Sequence, residues 1–355
     1  MIRLSAIAGW VVASLGCVIG CAGGGSRLTI TRRVLVLGGT RWLGALIASG
    51  HAAKGAEVVC LARGTGGPVA DGAHLVVGDR DRDGAYDALE GEWDEVVDVT
   101  SVPAHAAGAL DELGGRARHW TFVSSVSAQR VEGAPVGADE DDDLVPEDAS
   151  GDDYAGAKAW IERAARARLG ERLAIVRPGL IGGPGDPSGR FGYWVGRLAL
   201  AGTGPVLVPA RDQPTQTIDV RDLAAFLVER APDRSDVVNA VGAETALHRL
   251  IATAREVAGH SGELVLASDD ALAALDIGHW AGRRALPLTL PAAIASHAQR
   301  SSARYRAAGG THRHLRATLE AALADERALG PGRDSPTRLS RADELAAIDS
   351  LASEA

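Results

Sequence analysis

The chain is poor in the residues that build disulfide frameworks and thiolate metal sites. Its 355 residues include three cysteines, Cys17, Cys21 and Cys60. Two of these fall in the N-terminal segment, so the remainder cannot build a disulfide framework or a cysteine-based zinc site. Cys60 lies in the apolar run VVCL, which predicts a small core residue. The ten histidines show neither HxxxH nor HExxH spacing, and we expect no metal site.

Aromatic side chains and basic charge are also scarce. Aromatic residues make up 4% of the chain, so the 46% of hydrophobic residues predicts a core filled mainly by alanine, valine and leucine. The 37 basic residues are outnumbered by 46 acidic ones, which gives a net charge of −9. A general nucleic-acid binder would carry a basic face, so we expect no nucleic-acid partner. A local basic pocket for an anionic ligand remains compatible with this balance.

One hydrophobic stretch opens the chain, and no second one follows. Residues 1–32 contain an early arginine, an apolar stretch and then small residues, the layout of a secretory signal. The letters VIGC at 18–21 also resemble a lipoprotein cleavage box with Cys21 as the lipidated residue. The other interpretation is a non-functional extension. The stretch is short for a membrane span. We expect a cytoplasmic protein without a membrane partner, the alternative being an exported lipoprotein.

From Arg33 onward, short apolar runs alternate with helical segments. Continuous apolar strands separated by helices are typical of a parallel sheet covered on both faces. The predicted fold class is therefore α/β, with a doubly wound, Rossmann-type parallel sheet over residues 33–180. A smaller C-terminal substrate-binding region is expected over 181–330, followed by a linker and a helix over 331–355. The acidic run ADEDDDL at 138–144 predicts a solvated loop.

The turn after the first predicted strand has glycines where a dinucleotide would need them. Two follow the strand in VLVLGGTRWLG, and a third lies one turn into the next helix. The first two let backbone N–H groups approach a pyrophosphate beside the helix N-terminus, and the third permits close packing on the sheet. An ordinary turn is the alternative. The predicted cofactor turn comprises Gly38, Gly39, Thr40, Arg41, Trp42, Leu43 and Gly44.

The end of the second predicted strand indicates which cofactor is preferred. An NAD site usually places a carboxylate there for the ribose hydroxyls, but this chain has LARG at 61–64. Arg63 and Arg41 can pair with a 2′-phosphate, which a carboxylate would repel. We therefore predict NADP, with NAD as the other possibility. The alternative is that both arginines are simply exposed and solvated.

A tyrosine and a lysine four residues apart carry the predicted chemistry. Tyr154 and Lys158 in YAGAK share one face of a helix, and TFVSSVS at 121–127 places serines after the fifth strand. An ammonium beside a phenol lowers its pKa, so the phenol can exchange protons near neutral pH. Such a pair alone occurs by chance in many helices. Its weight comes from the order of glycine turn, serine-ended strand and Tyr/Lys helix.

With these features in place, the chain resembles an extended short-chain dehydrogenase/reductase of the NAD-dependent epimerase/dehydratase family, over about residues 33–330. The GGTR turn is similar to that of a reductase-like subgroup. The stretches that carry the resemblance are GGTRWLG at 38–44, GD at 78–79, SS at 124–125, YAGAK at 154–158, RPGLIGGP at 177–184 and QTIDVRDL at 216–223.

The resemblance implies an enzyme with Ser125, Tyr154 and Lys158 as catalytic residues. It also implies that Asp79 contacts the adenine ring and that Pro178, with the following glycine, borders the nicotinamide. The expected function is an NADP(H)-dependent oxidoreductase or epimerase acting on a hydroxyl or carbonyl of a sugar-nucleotide-like or other small polar substrate. Two departures, the arginine within the turn and AQR at 128–130, leave the substrate open.

The segment DPSGRFGYW at 186–194 is the predicted substrate contact. Asp186 and Arg190 could bind hydroxyl or phosphate groups, and Tyr193 could stack on a sugar or base. The alternative is an amphipathic helix whose aromatic residues belong to the core. A homodimer is a further expectation. The alternative function is a non-catalytic dinucleotide sensor or an RNA-binding protein on the same fold, although the acidic net charge counts against RNA.

Overall fold

The computed structural model describes residues 31–330, 332–333 and 335–354. The predicted signal, extension or lipidation at Cys21 falls on residues 1–30 and lies outside this part of the chain. Residues from Arg32 onward form one compact unit. Within the described ranges, no helix has both the length and the apolar composition needed to cross a bilayer.

The described secondary structure mixes strands and helices along the chain and ends in three helices. The strands are β1 (Arg33–Leu37), β2 (Glu57–Ala62), β3 (Ala73–Val77), β4 (Glu95–Asp98), β5 (Trp120–Val123), β6 (Leu173–Pro178), β7 (Leu180–Gly182), β8 (Val206–Pro209), β9 (Pro214–Asp219), β10 (Val237–Ala240), β11 (Glu244–Ala246), β12 (Leu264–Ala267), β13 (Gly278–His279) and β14 (Ala285–Leu286). The helices are α1 (Trp42–Ala53), α2 (Pro103–Leu113), α3 (Tyr154–Leu169), α4 (Gly192–Ala201), α5 (Val220–Glu229), α6 (Leu247–Ala258), α7 (Asp269–Ala274), α8 (Ala303–Ala307), α9 (Leu315–Leu329) and α10 (Arg341–Glu354).

The central sheet confirms the predicted fold class. It has seven strands in the order β10-β6-β5-β4-β1-β2-β3, and all neighbours pair in parallel. Helices α1 and α5 cover one face, and α2 and α3 cover the other. Because both faces are covered, strands such as β1 are continuous apolar runs instead of alternating ones. The strand order reverses beside β1, where α/β sheets of this kind bind ligands at the carboxyl ends of their strands.

A second core lies beyond the central sheet and includes parts of α4, α6, α9 and α10. The second core and the central sheet are not formed by two consecutive segments of the chain. Strand β10 returns to pair with β6, and α5 packs on the same face as α1, so residues beyond 180 help to build the half that contains the central sheet. The final helix is also more than an appendage, because Ala347 and Ile348 are buried in the second core.

Candidate active site

A cleft of about 620 Å³ lies where several strands of the central sheet end. Its wall begins with the turn after β1 and continues with residues that follow β4, β5 and β6. The opposite wall comes from the segment after β7 and from the region around β13 and β14. The volume is typical of a small-molecule site. The topology therefore collects residues from distant parts of the chain at one edge of the sheet.

The glycines of the first turn are required by close backbone approach. Gly38 has φ +95°, a left-handed conformation that favours glycine, and its N–H donates to the carbonyl of Leu61 at 3.0 Å. A Cβ added to Gly44 would overlap the carbonyl oxygen of Gly38, and one on Gly39 would overlap the Sγ of Cys60. The turn is thus drawn tightly over the sheet at the start of α1. This shape fits the backbone cradle that a dinucleotide pyrophosphate needs.

The predicted turn residues divide into a lining set and a supporting set. Gly39 and Thr40 are buried behind the turn and do not line the cleft. The indole of Trp42 donates from Nε1 to the carbonyl of Pro184 at 2.8 Å, which ties the start of α1 to the opposite wall. The lining members are Gly38, Arg41, Trp42, Leu43 and Gly44.

The two arginines predicted to bind a 2′-phosphate follow neighbouring strands. Leu37 and Leu61 are register partners in β1 and β2, so Arg41 and Arg63 leave the sheet on adjacent strands. Both are exposed, but only Arg41 lines the cleft. Arg63 lies close enough to Asp81 to contribute to the lowered pKa of that carboxyl, after the larger effect of its hydrogen bond with His105. The structure therefore places Arg41 at the cleft and Arg63 outside its lining.

Asp79, predicted to contact adenine, follows β3 and is half-buried. Its Oδ1 accepts a hydrogen bond from the N–H of Asp81 at 3.2 Å, and it does not line the cleft. The next residue makes the stronger contact: Arg80 donates to both carboxylate oxygens of Asp98, each at 3.0 Å. This buried ion pair joins the ends of β3 and β4, and sequence reasoning missed it because its two members belong to no motif.

The predicted catalytic tyrosine and serine meet in the cleft. Asp153 caps α3 by accepting from the N–H of Gly156 at 2.7 Å, which places Tyr154 in the first turn of the helix. Tyr154 is 51% exposed and lines the cleft together with Ser125. Partial burial raises the pKa of the Tyr154 phenol, while the Ser125 hydroxyl and the charge of Arg190 act to lower it.

Lys158 lies one turn further along the same face of α3 and is 3% exposed. Its Nζ donates to the carbonyls of Thr100 and Val123, each at 2.7 Å. Burial lowers the pKa of Lys158 to about 8, while the Asp98 and Glu162 carboxylates oppose the shift. The sequence argument expected Lys158 to lower the tyrosine pKa. In the structure the Lys158 ammonium donates to backbone carbonyls. Burial, which raises the pKa, is the largest effect on the pKa of the Tyr154 phenol.

A buried network behind the cleft distinguishes the two consecutive serines. The Oγ of Ser124 donates to Glu162 Oε1 at 2.6 Å, and Arg177 donates to both oxygens of Glu162 at 2.8 and 2.7 Å. Ser124 is therefore committed to a structural bond, whereas the Oγ of Ser125 accepts only from the N–H of Ser127 at 3.1 Å besides meeting the tyrosine. Of the two serines, Ser124 is the one whose hydroxyl is bound into this buried network.

Two of the three predicted substrate contacts lie in the cleft, and one does not. Asp186 and Arg190 line the wall opposite the glycine turn, as Pro178 and the glycine after it line the floor. Tyr193 is 1% exposed, belongs to the second core and contacts Trp194 edge to face with 5.0 Å between ring centroids. Its assignment as a substrate contact is therefore corrected: α4 turns this side chain into the core, as the alternative interpretation stated.

The wall also contains residues that sequence reasoning missed. The ring of Trp280 lies 4.8 Å from the guanidinium carbon of Arg190, and Leu288 lines the cleft nearby. His297 completes this side, and burial together with the charge of Arg300 lowers the pKa of its imidazole to about 4. These residues follow β12 in the chain and carry no recognisable spacing. Across the described ranges, no group of three or more His, Cys, Asp and Glu side chains is placed to hold a metal ion.

Comparisons with known proteins support the fold. No protein-family model matches the chain, and no curated protein matches it. Among solved structures it is similar to the UDP-glucose 4-epimerase of Thermotoga maritima with UDP-glucose, at 15% identity and TM-score 0.62, over 84% of this chain and 99% of that one. It is similar to the UDP-glucose 4-epimerase of Thermus thermophilus in complex with NAD, at 19% identity and TM-score 0.59, over 83% and 99%. The structure of gox2253 matches at 20% identity and TM-score 0.63, over 85% and 99%. These likenesses establish the fold.

Proposed function

We propose that this protein is an NADP(H)-dependent oxidoreductase or epimerase that acts on a hydroxyl or carbonyl of its substrate. The observation that carries the proposal is the convergence of the glycine turn, the neighbouring Ser125 and Tyr154 side chains and the buried Lys158 in one cleft. Fold alone does not define chemistry, so the argument depends on this arrangement of side chains. Two of the solved structures similar in fold are UDP-glucose 4-epimerases, which supports a sugar-nucleotide-like or other small polar substrate.

The turn after β1 would hold the cofactor. Its backbone N–H groups and the N-terminus of α1 favour a pyrophosphate, and Pro178 with the glycine after it would border the nicotinamide. Asp79 is proposed to lie against the adenine. When bound, the nicotinamide supplies the capacity to accept or donate two electrons with hydrogen at a substrate carbon. The remaining chemistry is a proton transfer and the positioning of one oxygen, which the protein's own side chains provide.

Tyr154 is the proposed general acid and base. Its side chain lines the cleft beside Ser125, so a substrate oxygen accepting from both hydroxyls would lie within reach of the tyrosine proton. The raised pKa keeps the phenol protonated near neutral pH when the cleft is empty. Lys158, held by two carbonyls with Nζ donating at 2.7 Å to each, has one N–H left for a ribose hydroxyl.

The preference for NADP is proposed from charge at the strand ends. Arg41 follows β1 and Arg63 follows β2, which are neighbours in the sheet, and both arginines are exposed. The carboxyl end of β2 carries no acidic side chain at 61–64. A 2′-phosphate would gain charge-assisted hydrogen bonds from one or both guanidinium groups. A cytoplasmic location, where nicotinamide cofactors are recycled, and a homodimer are part of the same proposal.

Replacing Tyr154 with phenylalanine tests the proposal. The variant keeps the ring and removes the proton donor, so turnover should fall by about 10² to 10⁴-fold. NADPH affinity should stay within about twofold, because the hydroxyl is assigned to the substrate. NADPH oxidation would be followed with a panel of carbonyl compounds, alongside epimerisation of UDP-glucose, and NADPH binding by fluorescence titration. Turnover that survives in the variant would exclude this mechanism.

A further inference from the structure

The wall of the cleft opposite the glycine turn has almost no net charge. We call it the outer cleft, and it is lined by Asp186, Ser188, Arg190, Gln216, Trp280, Leu288, Leu290 and His297. Among these residues Arg190 brings one positive charge and Asp186 one negative charge. His297 is neutral at physiological pH, because burial lowers the pKa of its imidazole to about 4. A nucleoside diphosphate carries at least two negative charges, and this lining offers a single cation against them.

The arginines that lie behind the wall of the outer cleft already form ion pairs with carboxylates. Each contacts a segment of the wall through a backbone carbonyl or an imidazole, and each is held by a carboxylate. Two of these pairs, those of Arg300 and Arg338, are buried and resist being broken, because removal of one partner would leave the other uncompensated; the pair of Arg211 is partly exposed. The pairs are Arg211 with Asp269 at 2.6 Å, Arg300 with Asp142 at 3.0 Å and Arg338 with Glu326 at 3.1 Å.

The outer cleft does offer one flat cationic surface. The guanidinium carbon of Arg190 lies 4.8 Å from the Trp280 ring centroid, and its Nε donates to the Oγ of Ser188 at 3.2 Å. Ser188 in turn donates to Asp186 at 2.7 Å. The stacked guanidinium is thereby held in place with nitrogens left for an anion, close enough to Tyr154 for its charge to affect the phenol.

The same wall contains two residues with strained backbones. Trp280 has φ +67° and Leu288 has φ +68°, left-handed conformations that bulky residues rarely adopt. Both line the cleft. Such strain persists where the surrounding structure enforces it and tends to cluster at ligand sites. The positions of this indole and this leucine are therefore imposed by the fold, and together they present an apolar wall to the ligand.

We propose that Trp280 and Arg190 select a compact, planar, mainly apolar substrate that carries one anionic group, such as an aromatic oxo acid, in preference to a nucleoside diphosphate sugar. The indole face and Leu288 would pack against the planar body, and the guanidinium would bind the anionic group near the reacting oxygen. This inference rests on the proposed oxidoreductase chemistry and departs from the sugar-nucleotide-like substrate that the similar structures favour. It assigns the specificity to segments that lie far apart in the sequence.

Binding measurements on the full chain saturated with NADP⁺ test the inference. The probes are benzoylformate, its neutral analogue acetophenone, and UDP-glucose, each titrated by calorimetry. We expect benzoylformate to bind at least about tenfold more tightly than UDP-glucose, since one charge-assisted contact contributes roughly that factor or more. Acetophenone should bind more weakly than benzoylformate, because it lacks the carboxylate.

Two variants separate the roles of the residues. Arg190→Gln should weaken benzoylformate binding by about tenfold or more while leaving acetophenone unchanged, which also shows that the variant is folded. Trp280→Leu should weaken both compounds. The matched control is Arg166→Gln on the exposed side of α3, which should alter neither.

Tighter binding of UDP-glucose than of benzoylformate would overturn the inference, and so would no binding of benzoylformate or equal loss of both aromatic probes in Arg190→Gln. These outcomes differ from failure of the proposed function. That failure would appear as absent NADPH binding or as turnover independent of Tyr154, whatever the ligand of the outer cleft.

Discussion

Substitution of Gly44 by alanine should damage cofactor binding far more than it damages the fold. The added Cβ would overlap the carbonyl oxygen of Gly38 and lie 3.0 Å from the carbon of that carbonyl and 3.2 Å from the Cα of Gly39. All three atoms belong to the backbone of the cofactor turn, so no side chain can rotate away to relieve the overlap. The turn must lift from the start of α1.

The structure sets the size of the two effects. Overpacking of this kind costs about 1–3 kcal/mol of folding free energy, and alanine recovers up to about 1 kcal/mol through its higher helix propensity. The net loss of stability should therefore be about 2 kcal/mol or less. The backbone N–H groups of the turn would shift by up to about 1 Å. A misplacement of that size weakens a precisely positioned interaction by about 10²-fold. NADPH affinity should fall by that order.

Fluorescence titration with NADPH and urea unfolding of the same samples measure both effects. Gly115→Ala is the matched control, because a Cβ at that position would meet no atom within 4 Å, and it should leave affinity and stability unchanged. Wild-type NADPH affinity in Gly44→Ala would refute the reasoning that this turn is the cofactor cradle. A loss of NADPH affinity in Gly44→Ala that the unfolded fraction of the variant fully accounts for would refute it as well.

Two further outcomes are expected. NADP⁺ should raise the thermal unfolding temperature more than NAD⁺, and replacing Arg41 and Arg63 with glutamine should remove that difference; a larger shift with NAD⁺ would contradict the proposed preference. Burial raises the pKa of Glu95 from its ordinary 4.5 to about 7, so the stability due to its protonated form is present at low pH and lost as pH rises through about 4.5–7. The free energy of unfolding of Glu95→Gln, relative to that of the wild type, should therefore increase between pH 5 and pH 8, by at most about 3 kcal/mol. If urea unfolding gives the same difference between variant and wild type at both pH values, this is excluded.

The sequence predicts the cofactor half well because its signals are local. The strand, glycine turn and helix around residues 33–53 lie within one short segment, and close packing leaves a direct trace as glycine. The helix that begins at Tyr154 is equally local, since Asp153 caps it and its alanine-rich body favours helix. Asp219 caps α5 through an equally local contact, accepting from the N–H of Arg221 at 2.8 Å.

The outer cleft could not be predicted, because its geometry depends on contacts between distant segments. Tyr193 and Trp280 are both aromatic, yet only the second faces the cleft, and nothing in the neighbouring residues of either one signals the difference. The acidic run at 138–144 shows the same limit. It was predicted as a solvated loop, but Glu140 is 5% exposed and accepts from the N–H of Asn239 at 2.7 Å, across a contact that only the folded chain creates.

The buried network of Ser124, Glu162 and Arg177 has a consequence for the helix that carries the chemistry. Tyr154, Lys158 and Glu162 follow one another at four-residue intervals, so they form a single stripe along α3. At the end of the stripe away from Tyr154, Glu162 accepts three hydrogen bonds of 2.6–2.8 Å. Any slide or rotation of this helix would break them. The carboxylate therefore acts as a stop that sets the axial position of the whole stripe. Tyr154 can stay half exposed at the mouth of the cleft because its depth is fixed two turns away.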